Sequence, residues 1–196
     1  RAKELNMPAL ALTDHGNMFG VLNFEHICHA NGINPIVGCE FYVTETDHKV
    51  QERTKYGGKY YHLILLCENE TGYKNMSWLC SNAYTEGLHY GKPNIDFEML
   101  KERHEGLICL SACIQGQVPQ ALLHDDDEWA EEVARKYADL FGPDHYYIEL
   151  QDHGLPDQKI AAEKMIKLAE KLNLPLVVTN DIHYCNKDDA EAQDAL

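Results

Sequence analysis

The chain has 196 residues, 44% of them hydrophobic, and a formal net charge of -15, so it can bury a full core as one large domain or a portion of something bigger. The acidity excludes a nucleic-acid groove over the chain as a whole, which needs clustered Lys and Arg, though a local site bridged by metal ions escapes that exclusion. No apolar run approaches the ~20 residues of a membrane span, nothing reads as a signal peptide, and seven cysteines in mostly apolar settings fit a reducing cytoplasm better than a disulfide framework.

RAKELNM at the start reads as the last turns of a helix running into Pro8, and KDDAEAQDAL at the end as a helix with no stop signal. Both ends read as cut, with a helix and a strand expected upstream. Pro8 to Thr13 has the pattern of a short, fully buried strand. From Asn17 to Ala30, Met18, Val21, Leu22 and Cys28 recur at roughly helical spacing until Asn31-Gly32 stops them. Ile33 begins a second strand, INPIVGCEFYV, whose Glu40 is a charge inside an apolar run and requires a partner. A polar excursion from Thr44 to Tyr60 precedes a third strand, YYHLILLCEN, with His62 near its start.

Thr71 is the expected cap of the next helix, with Tyr73, Met76, Leu79 and Cys80 inward. A loop carrying Gly87, Gly91 and Pro93 leads to a short helix capped by Asp96. GLICLSAC is the fourth strand, with Cys113 at its tip. Asp125, Asp126 and Asp127 favour the start of a helix through its dipole, and Trp129, Val133, Tyr137 and Leu140 form its inner stripe. HYYIELQDHG, ending near His153, is the fifth strand. Pro156 then opens a helix with Ala162, Met165, Ile166, Ala169 and Leu172 inward, which Asn173 ends. LPLVVTNDIHY is the sixth strand. Strands alternating with helices predict parallel strands joined by right-handed crossovers. Since no glycine-rich phosphate loop follows any strand, a dinucleotide fold loses to a (β/α) barrel opened by truncation.

In such folds the chemistry gathers at the C-terminal ends of the strands. Asp14, His15, Cys113, His153, Asp181 and His183 all fall there. In an extended TNDIHY, Asp181 and His183 leave the same face, and TDHG repeats the design far upstream, so the two tips are expected to meet. Glu40, mid-strand, and His62, near a strand start, fit this rule less well, although a barrel interior can receive both. Each residue has a plainer reading: a hydrogen-bonded structural His, a buried Cys acting as a small hydrophobe, Asp14 as a helix cap, Glu40 in a structural ion pair. Together, however, imidazole, carboxylate and thiolate are the side chains that bind zinc, manganese or iron, and their recurrence around one fold favours a metal site. His26, His29, His48, His89, His104, His124 and His145 read as surface histidines. Cys109 and Cys113 have neither redox nor zinc-knuckle spacing, and nothing resembles a Ser/His/Asp elbow.

PALALTDHGNMFG, PIVGCEFYV, YHLILLCENETGYKN, LSACIQGQVPQALL, YYIELQDHGLPDQ and TNDIHY follow one another in this chain. In that order they resemble the PHP (polymerase and histidinol phosphatase) domain family, in the branch that opens the alpha subunit of bacterial DNA polymerase III. The resemblance spans essentially the whole chain, so residues 1–196 are expected to be a single PHP domain of a larger, cytoplasmic bacterial subunit. It implies an α/β fold, a distorted (β/α)7 barrel truncated here at the N-terminal strand and its HxH motif. It also implies a divalent metal cluster of up to three ions, zinc or manganese. Six of nine family ligands are then His15, Glu40, His62, Cys113, Asp181 and His183, with the HxH pair and an Asp lying before Arg1. Among these, His15, Asp181 and His183 are the implied catalytic residues, while Asp14 and His153 match no ligand and take supporting roles.

The implied activity is metal-dependent phosphoester hydrolysis, as a 3′–5′ exonuclease proofreading a primer end within a DNA-directed DNA polymerase of DNA replication. The implied partners are the remainder of the alpha subunit, DNA through that subunit, a proofreading exonuclease subunit and the replisome, with no membrane. Two alternatives stand beside it. One is a catalytically silent module that stabilises the polymerase and docks the proofreading subunit. The other is a stand-alone phosphatase acting on a small phosphate ester.

Overall fold

The structure is a computed structural model and describes residues 1–195. In chain order, β1 (Ala9–Leu12), α1 (Val21–Ala30) and β2 (Asn34–Val43) are followed, after a long excursion, by β3 (Tyr61–Cys67) and α2 (Glu70–Glu86). A hairpin of β4 (Leu88–His89) and β5 (Lys92–Ile95) precedes α3 (Phe97–Arg103), β6 (Leu107–Leu110), α4 (Gln117–Leu123) and α5 (Asp127–Phe141). Then come β7 (Tyr146–Leu150), α6 (Pro156–Leu172), β8 (Leu176–Val178) and the short α7 (Ala190–Asp194).

The strands form a sheet in the order β4-β5-β2-β3-β6-β7-β8, with β1 alongside the first half of β2. The fold is α/β, as the alternation of strands and helices predicts, and the sheet is open, as expected of a truncated barrel: among the described residues β1 pairs with β2 and β8 with β7. One feature differs from the expected parallel strands: β3 runs antiparallel to both of its neighbours, β2 and β6, while the β1–β2, β2–β5, β6–β7 and β7–β8 pairs are parallel. The connection from β2 to β3 contains no helix, so nothing imposes the crossover that a parallel pair needs.

Alternation along the strands sorts side chains onto two faces. Cys39, Phe41, Val43, Leu63 and Leu65 join Met76, Leu79, Val133, Tyr137 and Met165 in the main core between sheet and helices. On the opposite face Ile64, Leu110 and Ala112 form a smaller apolar cluster with Leu66, Ile108, Tyr147 and Val177. Glu40, His62 and Glu149 share the parity of that second face.

Several local expectations shift. Asn69, not Thr71, caps α2, its side chain accepting a hydrogen bond from Gly72 N at 3.1 Å. The inner face of α2 then runs Gly72, Met76, Leu79, Ala83, which leaves Tyr73 41% exposed. A Cβ on Gly72 would lie 1.8 Å from the Gly106 carbonyl oxygen, so this helix lies against the chain entering β6 as only glycine permits. On α6 the buried residues are Gln158, Ala161, Met165, Leu168 and Ala169, and Ile166 faces outward. The hairpin β4–β5 occupies what reads as a loop, and α4 arises where no helix is expected. β1 is only partly buried, and residues 2–6 form turns rather than a helix. β8 stops at Val178, so TNDIHY is irregular rather than extended, with Asp181 at φ 44.

Candidate metal centre

The centre is built around Glu40, which is 4% exposed in the middle of the ten-residue β2. β1 ends against Val37, and the TDHG turn continues beside β2, with Glu40 N donating to the Asp14 carbonyl at 3.0 Å and Gly16 N to the Glu40 carbonyl at 2.8 Å. These two bonds set His15 next to Glu40, with Nδ1 3.2 Å from Oε1. Gly16 is required there: it sits at φ 67, and a Cβ would meet Pro93 Cγ at 2.7 Å.

Because β3 is antiparallel, its beginning lies at the same end of the sheet as the tips of its parallel neighbours. That places His62 Nδ1 2.6 Å from Glu40 Oε1. The chain after β6 folds back over it, with His62 N donating to the Gln115 carbonyl at 3.0 Å. In that bend Ala112, which is buried, adopts φ 64, a left-handed conformation held in place by its surroundings. Cys113 Sγ comes to 3.5 Å from His62 Nδ1. One ligand atom from each of Glu40, His62 and Cys113 lies within 4.8 Å of the others, a spacing that can hold a metal ion.

The far end of the chain reaches the same place. The His183 ring lies 6.0 Å from the His15 ring, and the His62 ring 5.7 Å from it. His183 Nδ1 is 2.8 Å from the Asp181 carbonyl oxygen and 3.8 Å from its carboxylate. That contact occupies Nδ1 and leaves Nε2 for any other partner. His153 ties this segment down, its Nε2 2.7 Å from the Asn180 carbonyl and its Nδ1 2.8 Å from Gln158 Nε2. Asp14 contributes through its carbonyl, which also accepts from Cys39 Sγ at 3.4 Å.

The electrostatics fit a cation. Burial pushes the Glu40 carboxyl up, but the His15 and His62 imidazoles more than offset it and hold it at about 2. Reciprocally, the Glu40 carboxylate raises His15, against the opposing effect of burial. Burial pushes the Cys113 thiol up to about 12, with Glu40, Asp181 and Glu149 adding to the effect. Glu40 Oε1, for all the closeness of the two imidazoles, has no aligned hydrogen-bond partner. A buried carboxylate facing imidazole nitrogens and a thiol is the kind of donor set that suits a divalent ion.

Glu149 on β7 escaped the sequence reading. It is 5% exposed, accepts from Thr179 Oγ1 at 2.5 Å and Gln151 Nε2 at 3.1 Å, and its Oε2 is buried without a partner. Burial pushes its carboxyl up. The signal was present: like Glu40, it is a lone charge in an apolar strand, YYIEL. His48 reads as a surface histidine but is 8% exposed.

An open α/β sheet with a candidate metal centre where the parallel strands end is the class of protein that fold and site define. The PHP domain family's profile matches residues 1–153, and the chain belongs to that family. It is 53% identical over 195 residues to the DNA polymerase III subunit alpha of Treponema pallidum, covering 100% of this chain and 17% of that protein. It is 44% identical over 196 residues to the same subunit of Borreliella burgdorferi, with the same coverage. With the Thermus aquaticus subunit it shares 44% over 190 residues, 96% of this chain and 15% of that one. The chain therefore spans less than a fifth of the curated relatives it matches. A crystal structure from Bifidobacterium adolescentis, described as a candidate metal-dependent phosphoesterase, shares the fold with a TM-score of 0.55 at 13% identity, covering 99% of this chain and 87% of that one.

Proposed function

We propose that the chain is a single PHP domain within a cytoplasmic bacterial DNA polymerase III alpha subunit, and that it hydrolyses phosphoesters as a 3′–5′ exonuclease on primer ends. The observation that carries this reading is the buried Glu40 Oε1, 3.2 Å from His15 Nδ1 and 2.6 Å from His62 Nδ1, with Cys113 Sγ 3.5 Å from the same His62 nitrogen. The curated relatives support the polymerase context, and the family supports the phosphoester chemistry.

His15, Glu40, His62, Cys113, Asp181 and His183 would hold the ions, of the zinc or manganese class, in a cluster of up to three. When bound, such ions polarise a phosphoryl oxygen and lower the pKa of water. Glu40 needs no proton removed to take part, because its neighbours already keep it ionised. Cys113 would bind as the thiolate and so lower the local positive charge. Asp181 and His183, on the more open side of the centre, position the phosphate and keep Nε2 available, while His153 fixes the backbone that carries them. The acidity of the chain suits a domain that meets one strand end and leaves duplex binding to other parts of the subunit.

In the test, the full-length subunit is incubated with a 3′-labelled primer strand in Mn2+ or Zn2+. Release of the label should need the metal and fall to the metal-free background in His183→Ala and Asp181→Asn. Unchanged release in both variants would falsify the exonuclease. If ligand variants instead weaken polymerase assembly while no release occurs at all, the domain is a structural module.

A further inference from the structure

A second set of ligand-type side chains lies beyond the end of β2, away from Glu40. His48 sits in the excursion between β2 and β3, and Asp96 between β5 and α3; they are 8% and 5% exposed. His48 Nδ1 is 2.5 Å from Asp96 Oδ2, to which His48 N also donates at 2.9 Å. Asp96 Oδ1 separately caps α3 through Met99 N at 2.9 Å. Taken alone, that pair is a tie fastening the excursion to the helix.

Two observations go beyond a tie. Asp47 places Oδ1 3.6 Å from the same His48 Nδ1, which carries at most one proton and already faces Asp96. One ligand atom from each of Asp47, His48 and Asp96 lies within 4.8 Å of the others, the spacing of a three-ligand metal site. The cluster also opens on a cavity of about 580 Å³, lined by six carboxylates against two lysines, Lys49 and Lys136. Lys49 is paired with Glu86, and Lys136 lies over the Phe97 ring, so neither ammonium reaches the cluster as a partner. No residue of the Glu40 centre lines this cavity.

We propose that Asp47, His48 and Asp96 form a second divalent-cation site, independent of the Glu40 centre. Two carboxylates and one imidazole suit an ion of the Mn2+ or Zn2+ class rather than Mg2+, and the cavity gives room for the waters that complete its shell. A bound ion would cross-link the excursion after β2 to the start of α3 in place of the hydrogen-bonded tie.

Binding is read directly, without any enzymatic assay. Mn2+ is titrated into the protein and free ion is counted by electron paramagnetic resonance, for wild type, Asp47→Asn and His62→Gln. Asp47 is mostly exposed, and its Oδ1 accepts from Lys49 N at 2.8 Å, a role the Asn carbonyl keeps, so this variant should fold. Asp47→Asn should weaken one Mn2+ by at least the ~10-fold that even an outer-shell partner is worth, and leave the ions sensitive to His62→Gln as they were. In wild type, Mn2+ should also broaden the His48 ring resonances. Equal number and affinity of ions in wild type and Asp47→Asn, or sharp His48 signals at saturating Mn2+, overturns the site.

Discussion

Glu40 shows how one side chain organises its neighbours. Its carboxyl is held at about 2, below the ordinary 4.5, so the folded state binds its proton less tightly than the unfolded chain. The stability this contributes is present above pH 4.5 and is lost as pH falls from there towards 2. His15 has the opposite sign: its pKa is raised above 6.5, so its contribution is complete below that value and is lost as pH rises through the folded value. With metal removed by a chelator, Glu40→Gln should move the His15 titration back towards 6.5, read from its ring protons by NMR. An unchanged His15 titration would show that the 3.2 Å contact does not exist in solution. The need for a partner at Glu40 was legible in the sequence, because a charge in an apolar strand is costly alone. Which partners it has was not.

At the scale of elements, α2 shows two contacts of different kinds at its first turn. Asn69 satisfies a backbone donor there, and Asn69→Ala should cost about 1 kcal/mol, as helix caps do. Gly72 instead makes room for the Gly106 carbonyl, so Gly72→Ala must push the helix off the chain entering β6, at about 1–3 kcal/mol, as overpacking does. Urea denaturation measures both, and a neutral Gly72→Ala would mean that α2 does not lie where it is described. Helix stops were readable locally: Asn31-Gly32 and Asn173 end α1 and α6 as expected, the latter at φ 53. The cap of α2 lies two residues before the expected Thr71: Asn69 and Thr71 are both good cap residues, and it is the Asn69 side chain that accepts from Gly72 N.

For the whole molecule, the centre joins residues from both ends of the chain and from the strands between, so its occupancy should couple to global folding. Mn2+ or Zn2+ at ~100 times its dissociation constant should stabilise the protein by about 2.7 kcal/mol per site, and a chelator should remove that gain. Thermal melts of wild type and His62→Gln make the comparison, and a melting temperature that ignores metal in wild type would count against the centre. The antiparallel β3 matters most at this scale. Expecting parallel strands throughout leaves His62 at the wrong end of its strand; reversing β3 brings it to Glu40.

The sequence by itself singled out the candidate ligands and where most helices and strands lie, because periodicity, caps and lone charges in apolar runs act over a few residues. It also carried the run of motifs by which the chain resembles its family. Only the tertiary structure decided the direction of β3, the burial of His48 against Asp96, and the place of Glu149. Those depend on which segments pair across long stretches of chain, and no local pattern specifies a partner. That is why TDHG and TNDIHY were readable as two tips expected to meet, while the 6.0 Å between the His15 and His183 rings is a property of the fold.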